Sequence, residues 1–487
     1  MACTTILVGK KATYDGSTMI ARTEDLRYWA KKAVIIDPED QPRTYTSVKS
    51  HLTMELPADP MRYSACPNAF SEEGIWAGSG INDANVGMTA TETITSNPRV
   101  LGADPLAEYR KADQEGGSEI PGGIGEEDMV TIVLPYIRTA REGVKRLGSL
   151  LERYGTYEKS GIAFNDENEV WLMETIGGHH WMARRVPDDA VAILPNQQGI
   201  DAFDFEDAFG EQKDFMCTAD LAEFIRENHL DLNRDGASDP RSIFGSRKDR
   251  DFVYNTPRAW FMARYFMPHT YRWDGPDADY TPQSDDLPFC FVPEKKVTVE
   301  DIKYLLSSHY QGTPYDPYEA ANGEEGKKYR TISVSWCAHL AILQIRGYMP
   351  DAAKGVVWVG FGSTLTGACV PFYSHVNKLP DYLSNVSNEV CTDNFTWQSH
   401  LIAALADPYH SALCDVTETY QEEILSESHR ILNKYDRKIM ETGDADLCGQ
   451  ANEELCRMCR KKTSKVLFDV LLVSSKKMKN TFSRKKD

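Results

Sequence analysis

Long apolar segments are missing from this sequence of 487 residues. No run approaches the roughly 20 consecutive apolar residues that a transmembrane helix needs, so we expect no membrane-spanning segment. The N-terminal stretch is too short and too poor in positive charge to predict a secretory signal peptide. The sequence therefore favours a protein that has no membrane partner.

Positive charge is also scarce. The sequence has 54 Lys and Arg against 73 Asp and Glu, which gives a net charge of −19 at pH 7. This excess disfavours general binding to nucleic acid or to anionic membranes. The one basic stretch, residues 476–486, is predicted to be a solvated tail. The charge balance does not indicate a reaction.

The 11 cysteines lack the even number and regular spacing of a disulfide framework. Reduced thiols and a cytoplasmic location are therefore expected. Cys456 and Cys459 have no second Cys or His pair at zinc spacing. The loop at 231–242 starts like a calcium loop, but Ser242 stands where the bidentate glutamate should be. We predict no metal and no cofactor.

A cysteine at position 3 opens a short apolar run of strand type. If Met1 and Ala2 are removed, Cys3 carries both a thiol and a free α-amine. The reference pKa values are about 8.5 for the thiol and about 7.7–8.0 for the amine. One residue can then supply both the nucleophile and the general base near neutral pH. The simpler interpretation is a small apolar residue in an edge strand.

A second strand is predicted over residues 18–25, joined to the first by a turn at 14–17. Arg22 and Asp25 lie at its far end, so they return to the level of Cys3. A nearby cation lowers the pKa of a thiol, and a carboxylate can orient an α-ammonium. A surface ion pair of little energetic value is the alternative.

This hairpin resembles the opening of the dipeptidase A family. The matching motifs are Cys-Thr-Thr-Ile-Leu-Val-Gly at 3–9, Asp-Gly-Ser-Thr at 15–18 and Arg-Thr-Glu-Asp at 22–25. The family consists of N-terminal nucleophile cysteine hydrolases related to secernins and, more distantly, to choloylglycine hydrolases and penicillin V acylases. The resemblance implies an α+β fold, a four-layer αββα sandwich of antiparallel sheets. It also implies attack of Cys3 on an amide carbonyl, broad dipeptide specificity and homo-oligomers.

Two further positions resemble the family's site. The motif Leu-Pro-Asn-Gln-Gln-Gly-Ile-Asp at 194–201 follows a predicted strand and corresponds to a segment whose asparagine lines the nucleophile pocket. That residue is Asn196, whose amide could donate to a developing oxyanion. Arg258, on a predicted helix, corresponds to an arginine that reaches the active site. It could pair with Asp25 or hold a substrate carboxylate.

The sequence departs from the acylase pattern at Glu92, where those relatives have an oxyanion-hole asparagine. An ionised glutamate cannot donate a hydrogen bond, so an ionised Glu92 would not supply the donor that the asparagine supplies in those relatives. Glu92 could instead bind the free ammonium of a dipeptide. A solvated strand carboxylate is the other interpretation.

Periodicity predicts the remaining elements. A single long helix is expected over 128–154, kinked at Pro135 and ended by Gly155. Further strands are predicted at 161–164, 169–175, 181–185, 190–194, 331–345, 356–361 and 369–373. The chain is expected to be helical from 396 onward. We divide it into a catalytic domain, 1–395, and a helical extension packed on it, 396–487.

We predict a cysteine dipeptidase whose substrates are small dipeptides. Because Ala2 does not leave with ordinary removal of Met1, we expect self-cleavage by Cys3 or a second aminopeptidase step. One alternative is an amidase of the acylase type, acting on N-acyl amino acids. Another is a non-catalytic secernin-like scaffold, which would keep its N-terminus unprocessed.

Overall fold

A computed structural model describes residues 2–26, 30–70, 72–90, 92–112, 117–234 and 239–478. The strands of these ranges are β1 Ala2–Val8, β2 Thr18–Asp25, β3 Val34–Ile36, β4 Thr44–Thr46, β5 Thr53–Glu55, β6 Tyr63–Ala65, β7 Ser79–Ile81, β8 Gly87–Thr89, β9 Glu92–Thr93, β10 Ser160–Asn165, β11 Val170–Thr175, β12 Trp181–Val186, β13 Val191–Leu194, β14 Phe215–Cys217, β15 Cys290–Phe291, β16 His339–Ile345, β17 Gly355–Phe361 and β18 Val370–Tyr373. Most of the predicted basic tail lies outside the described residues.

Helices separate the strands and then form most of the described chain from residue 395 to residue 476. They are α1 Pro98–Ala103, α2 Glu126–Val133, α3 Ala140–Tyr154, α4 Phe205–Phe209, α5 Leu221–Glu227, α6 Pro240–Phe244, α7 Asp249–Tyr254, α8 Thr256–Phe266, α9 Val299–Leu306, α10 Asp351–Lys354, α11 Asp381–Ser384, α12 Phe395–Ala406, α13 His410–Thr442 and α14 Asp446–Lys476. The predicted α+β class with a helical C-terminal part is confirmed.

The first large sheet has the strand order β15-β13-β1-β2-β16-β17-β18 and is antiparallel throughout. The predicted N-terminal hairpin forms its centre. Cys3 pairs with Glu24, and Glu24 pairs with His339 on the other side. Side chains at paired positions share a face of a sheet, so these three project to the same side.

The second sheet has the order β14-β12-β11-β10-β8-β7, and β9 pairs with β10. The two sheets contact each other through polar side chains at both ends. Asn165 Nδ2 donates to Thr18 Oγ1 at 3.1 Å, and Thr5 Oγ1 donates to Glu92 Oε2 at 2.9 Å. The second of these bonds lies two residues from Cys3, so both sheets supply the surroundings of this cysteine.

Helices cover the large sheets on their other sides. Helix α3 packs on β10–β12, while α8, α9, α12 and α14 pack on strands of the first sheet. Two glycines allow α3 to approach closely, because a Cβ on Gly143 or Gly148 would come within 2.4 Å of Phe164 or 2.3 Å of Trp181. The larger buried apolar cluster runs from Ile6 to Val470, so the C-terminal helices share the core of the first sheet.

Two element predictions were wrong in detail. The expected helix over 128–154 is two helices, α2 and α3, because Asn82 Nδ2 donates to the carbonyls of Leu134 and Ile137 and Thr139 caps a new start. Strand β16 begins at His339 rather than at 331. Its neighbour β2 ends at Asp25, so earlier residues have no strand to pair with.

Candidate active site

Cys3 is fully buried at the start of β1, with its thiol against a guanidinium. Arg22 Nη2 donates to Cys3 Sγ at 3.2 Å, because Arg22 pairs with Thr5 in the hairpin and so lies diagonally across from Cys3 on the same face. Burial raises the pKa of the Cys3 thiol, and Arg22 is the main group that opposes this rise. The geometry brings the cation and the thiol together as the hairpin motif predicts.

Arg22 is held by two carboxylates as well. Its Nη2 forms a close ion pair with Glu126, at the start of α2, and its Nη1 lies 3.7 Å from Glu24 Oε2. Burial works against the charged guanidinium, but Cys3 and the two carboxylates raise the pKa of Arg22. Arg22 therefore stays charged and reaches the thiol from a fixed position.

Glu24 connects this group to a third strand. Lys31 Nζ lies 2.8 Å from Glu24 Oε1, and His339 Nδ1 lies 3.2 Å from Glu24 Oε2. Burial alone would raise the pKa of Glu24, but Lys31 and His339 hold it below its usual range. Lys31 Nζ also donates to the carbonyl of Trp76 at 2.8 Å. Glu24 is therefore ionised and fixed from two sides.

Asn196 follows β13, the neighbour of β1, and contacts the backbone of the nucleophile. Cys3 N donates to Asn196 Oδ1 at 3.2 Å, and Asn196 Nδ2 donates to the Thr93 carbonyl at 2.9 Å. The predicted residue therefore lies at the nitrogen that would become the α-amine.

Arg258 comes from the first turn of α8 and is fully buried. Its Nε donates to Tyr254 O, its Nη1 to Cys3 O and Thr4 Oγ1, and its Nη2 to Asn196 Oδ1 and Asn255 Oδ1. A guanidinium has five N–H groups, so this set of acceptors occupies all of them. Burial, together with the nearby Arg330, lowers the pKa of Arg258 to about 10.

Asp25 lies at the end of β2, beside these residues but turned toward a different partner. Its Oδ2 forms a close ion pair with Arg330 Nη2. Burial raises the pKa of Asp25, and Arg330 opposes this rise. The geometry does not bring Asp25 into a direct hydrogen bond with Cys3 in the chain that still carries Ala2.

Glu92 is completely buried on β9. Its Oε2 accepts from Thr5, and its Oε1 has no hydrogen-bond partner among the described residues. Burial raises the pKa of Glu92 to about 8, although Arg258 and Arg22 act in the opposite direction. The interpretation of Glu92 as a solvated carboxylate is therefore wrong, because its side chain is out of contact with solvent.

Sequence reasoning missed Glu126, Lys31 and Arg330. Acidic residues at 126–128 before an apolar run indicate a helix N-terminus, but nothing in the pattern connects them to a cysteine more than a hundred positions away. Arg330 lies 305 positions from Asp25. Residues of this kind can be identified from the folded structure, because the spacing of residues along the sequence does not indicate which distant segments meet.

The described part of the chain contains no cluster of three or more His, Cys, Asp or Glu that could hold a metal ion. Positions 235–238 of the half calcium loop lie outside it. Across the same ranges, no helix combines the length and apolar character that a bilayer crossing requires.

The chain is similar to known peptidases. A sequence profile described as Peptidase family C69 matches residues 2–423. The match covers most of the chain, so its class is that of the peptidases, which are hydrolases. The chain belongs to peptidase family C69, which confirms the resemblance drawn from the sequence motifs.

Named relatives are similar over at least nine tenths of their length. The chain is 48% identical to "Dipeptidase" of Bifidobacterium longum and 47% identical to "Probable dipeptidase A" of Streptococcus pyogenes serotype M3, in each case over 99% of both chains. It is 41% identical to "Dipeptidase A" of Lactobacillus helveticus over 91% of this chain and 90% of that protein.

Proposed function

We propose that this protein is a cysteine dipeptidase in which Cys3, after removal of Met1 and Ala2, is both nucleophile and base. The observation that carries the proposal is the pair of contacts at Cys3: Arg22 Nη2 on the thiol and Asn196 Oδ1 on the backbone nitrogen. A residue held at both its sulfur and its nitrogen suits a mechanism that uses both atoms. The dipeptidase names of the relatives supply the substrate class.

The reaction begins with transfer of the thiol proton to the α-amine. The thiolate attacks the dipeptide carbonyl and forms a tetrahedral oxyanion. Collapse of this intermediate breaks the C–N bond, and the ammonium returns its proton to the leaving amino group. Water then hydrolyses the thioester with the same amine as base, which regenerates the thiol. No step needs a metal or a cofactor, so millimolar EDTA is expected to leave activity intact.

Asn196 has two parts in this scheme. Its Oδ1 holds an N–H of the amine, which directs the nitrogen lone pair toward the thiol. Because its Nδ2 already donates to Thr93, Asn196 can contribute at most one N–H to the oxyanion. We place it among the oxyanion donors on the strength of the family resemblance.

Arg258 supports the nucleophile rather than the substrate. Its N–H groups are occupied by Cys3, Thr4, Asn196 and the Tyr254–Asn255 turn. Holding a substrate carboxylate would break at least two of these buried bonds. Of the two roles considered from the sequence, positioning is therefore favoured.

Glu92 is proposed to bind the free ammonium of the dipeptide. A buried carboxylate with an unpartnered oxygen near the thiol is costly on its own. Pairing with a substrate ammonium would favour the ionised form and offset that cost. An N-acylated substrate has no such charge, so this feature supports a dipeptidase over an acylase.

The first experiment is the intact mass of purified wild type beside Cys3→Ala. We expect the wild type to begin at Cys3 and the variant to keep Ala2, because self-cleavage needs the thiol. If both proteins begin at Ala2, the proposed base does not exist and the scaffold hypothesis takes its place.

The second experiment compares Ala-Ala with N-acetyl-Ala-Ala on mature protein. A dipeptidase hydrolyses the first much faster, and Glu92→Gln should reduce this preference by raising KM for Ala-Ala alone. Faster hydrolysis of the acetylated compound would instead identify an amidase of the acylase type.

We extend the proposal to architecture and location. The two contacting sheets with helices on their other sides fit the four-layer αββα sandwich of N-terminal nucleophile hydrolases. All eleven cysteines are free of disulfides, which fits a reducing compartment such as the cytoplasm. Homo-oligomers remain an expectation from the family resemblance.

A further inference from the structure

The two oxygens of Asp25 are in different situations. Oδ2 is occupied by the close ion pair with Arg330. Oδ1 is buried and accepts no hydrogen bond from a nitrogen or oxygen donor in the described ranges. The carboxyl does form a side-chain hydrogen bond with the thiol of Cys337, which is a weak donor. A buried carboxylate is better satisfied by an N–H donor than by a thiol.

A stronger donor for Asp25 would arise from maturation. Asp25 pairs with Ala2 across the hairpin, and Ala2 is the residue whose removal would turn the Cys3 nitrogen into an amine. In the unprocessed chain this nitrogen has one N–H, and Asn196 accepts it. An ammonium at the same place has three N–H groups and so requires further acceptors, which Asp25 Oδ1 can supply.

Arg330 is well suited to fix the carboxyl in that orientation. Its side chain is only 6% exposed. Its backbone is held at both ends, because Arg330 N donates to Val253 O at 3.1 Å and Tyr310 Oη donates to Arg330 O at 2.5 Å. Its guanidinium lies 5.9 Å from the centre of the Tyr254 ring. The cation therefore approaches Asp25 from a rigid support.

We propose that Arg330 is a positioning residue that occupies Asp25 Oδ2 and thereby presents Oδ1 to the α-amine of mature Cys3. The proposal rests on the function proposed above and adds a residue to it. Arg330 acts through Asp25 and touches neither the substrate nor the thiol.

A double-mutant cycle tests this assignment. Arg330→Met, Asp25→Asn and the double variant are made in a chain that lacks Ala2, so that removal of Met1 alone exposes the cysteine, which intact mass verifies. Each single variant should lower kcat for Ala-Ala by about 100-fold with KM almost unchanged, since a small misplacement of a reacting group has an effect of this size. The double variant should lose no more than Asp25→Asn alone, and Arg330→Lys should restore part of the rate.

Two results would overturn the proposal. Losses that multiply to about 10,000-fold in the double variant would show that Arg330 acts independently of Asp25. A rise in KM for Ala-Ala that is absent for its C-terminal amide would show that Arg330 binds the substrate carboxylate. Arg346→Met is the matched control, because it removes another buried Arg–Asp pair. Arg346 follows β16, and its partner Asp436 lies on α13. It should lower stability and leave kcat unchanged.

Two measures keep the test informative. If Arg330→Met does not fold, Arg330→Lys with and without Asp25→Asn gives the same cycle. If wild type hydrolyses no dipeptide, the proposed function fails, and the cycle is then measured on alkylation of Cys3 by iodoacetamide. That rate reports the thiolate without any substrate. Coupling between Arg330 and Asp25 in alkylation would uphold the positioning role, and its absence would refute it.

Discussion

Burial and charge act in opposite directions on the thiol of Cys3. Burial disfavours the thiolate, and the positive charge of Arg22 is partly neutralised by Glu126 and Glu24. In the unprocessed chain the thiol is therefore mostly protonated at neutral pH, so self-cleavage is expected to be slow compared with turnover by the mature protein. Exposure of the α-amine adds a base at this point, so maturation is expected to switch on reactivity.

Glu92 makes stability depend on pH in a direction opposite to that of most carboxylates. Its pKa is about 8 in the folded protein against a reference value of 4.5. Between these values the folded state holds a proton that the unfolded state has released, so the free energy of unfolding falls as pH rises. Glu92→Gln, which cannot titrate, should become more stable than wild type across this window, by a few kcal/mol at most.

Urea unfolding of both proteins at pH 5, 6.5 and 8 measures this difference. It should grow from pH 5 to pH 8 and level off above that. Substitution of the exposed Glu39 by Gln is the control and should show no such trend. A difference that is constant with pH would mean that Glu92 does not resist ionisation.

Arg258→Lys tests whether the guanidinium is a support for the nucleophile. A lysine has three donors on one nitrogen and cannot reach the acceptors that Arg258 holds. We expect kcat/KM for Ala-Ala to fall about 100-fold. The free energy of unfolding should fall by roughly 2–4 kcal/mol, because the buried Asn255 Oδ1 loses its guanidinium donor and Asn196 Oδ1 keeps Cys3 N but loses the bond from Arg258.

Steady-state kinetics and thermal unfolding check both expectations. Arg264→Lys, which alters a partly exposed pair with Asp274 away from Cys3, should change neither. An increase confined to KM for substrates with a free carboxylate would contradict the support role and assign Arg258 to substrate binding.

Among the elements, the edge strand β18 is covered by a side chain rather than by another strand. Tyr373 N donates to Asn452 Oδ1 at 2.9 Å, and Asn452 Nδ2 donates to Tyr373 O at 3.0 Å. The amide of Asn452, on α14, thus satisfies both backbone groups of one strand residue. This arrangement ties the last helix to the sheet that carries Cys3.

Asn452→Ala should therefore be strongly destabilising. It leaves a buried N–H and a buried C=O without partners, and the expected loss in the free energy of unfolding is about 2–4 kcal/mol. Thermal or urea unfolding measures the loss. Asn433→Ala, at an exposed position of α13, should stay within about 0.5 kcal/mol of wild type. Equal effects of the two changes would show that the edge contact contributes little.

The sequence predicted those elements whose partners are close along the chain. The β1–β2 hairpin follows from alternation and a turn, and so does the strand pair formed by β10 and β11. The long helix failed because Asn82, some fifty residues earlier, satisfies the carbonyls at the break. The periodicity of apolar residues within a helix does not indicate a hydrogen-bond partner that lies so far away in the sequence.

The candidate site follows the same physical rule. Cys3, Arg22 and Asp25 can be predicted because one hairpin contains them, and Asn196 and Arg258 because they fit a family motif. Glu126 and Arg330 come from distant segments and are brought in only by the packing of the layers. These two residues become ion-pair partners only in the folded protein, so the spacing of neighbouring residues in the sequence does not indicate them.

For the whole molecule, the helical extension is expected to be part of one cooperative unit. The buried cluster that begins at Ile6 continues into α14. Thr396 Oγ1 donates to the Lys31 carbonyl at 2.7 Å, which connects α12 to a residue that holds Glu24. Removal of the extension would expose core of the first sheet and loosen the network behind the thiol.

A chain that ends at residue 395 should therefore fail to fold and should be recovered as aggregate. Calorimetry of the intact protein should show a single unfolding transition, because the extension and the sheet lose their shared core together. A second, smaller transition, or a truncated chain that stays folded, would mean that residues 1–395 form an independent domain. Alkylation of Cys3 in such a chain would then show whether the extension still affects the site. If it does, faster alkylation is expected, since access to the buried thiol would increase.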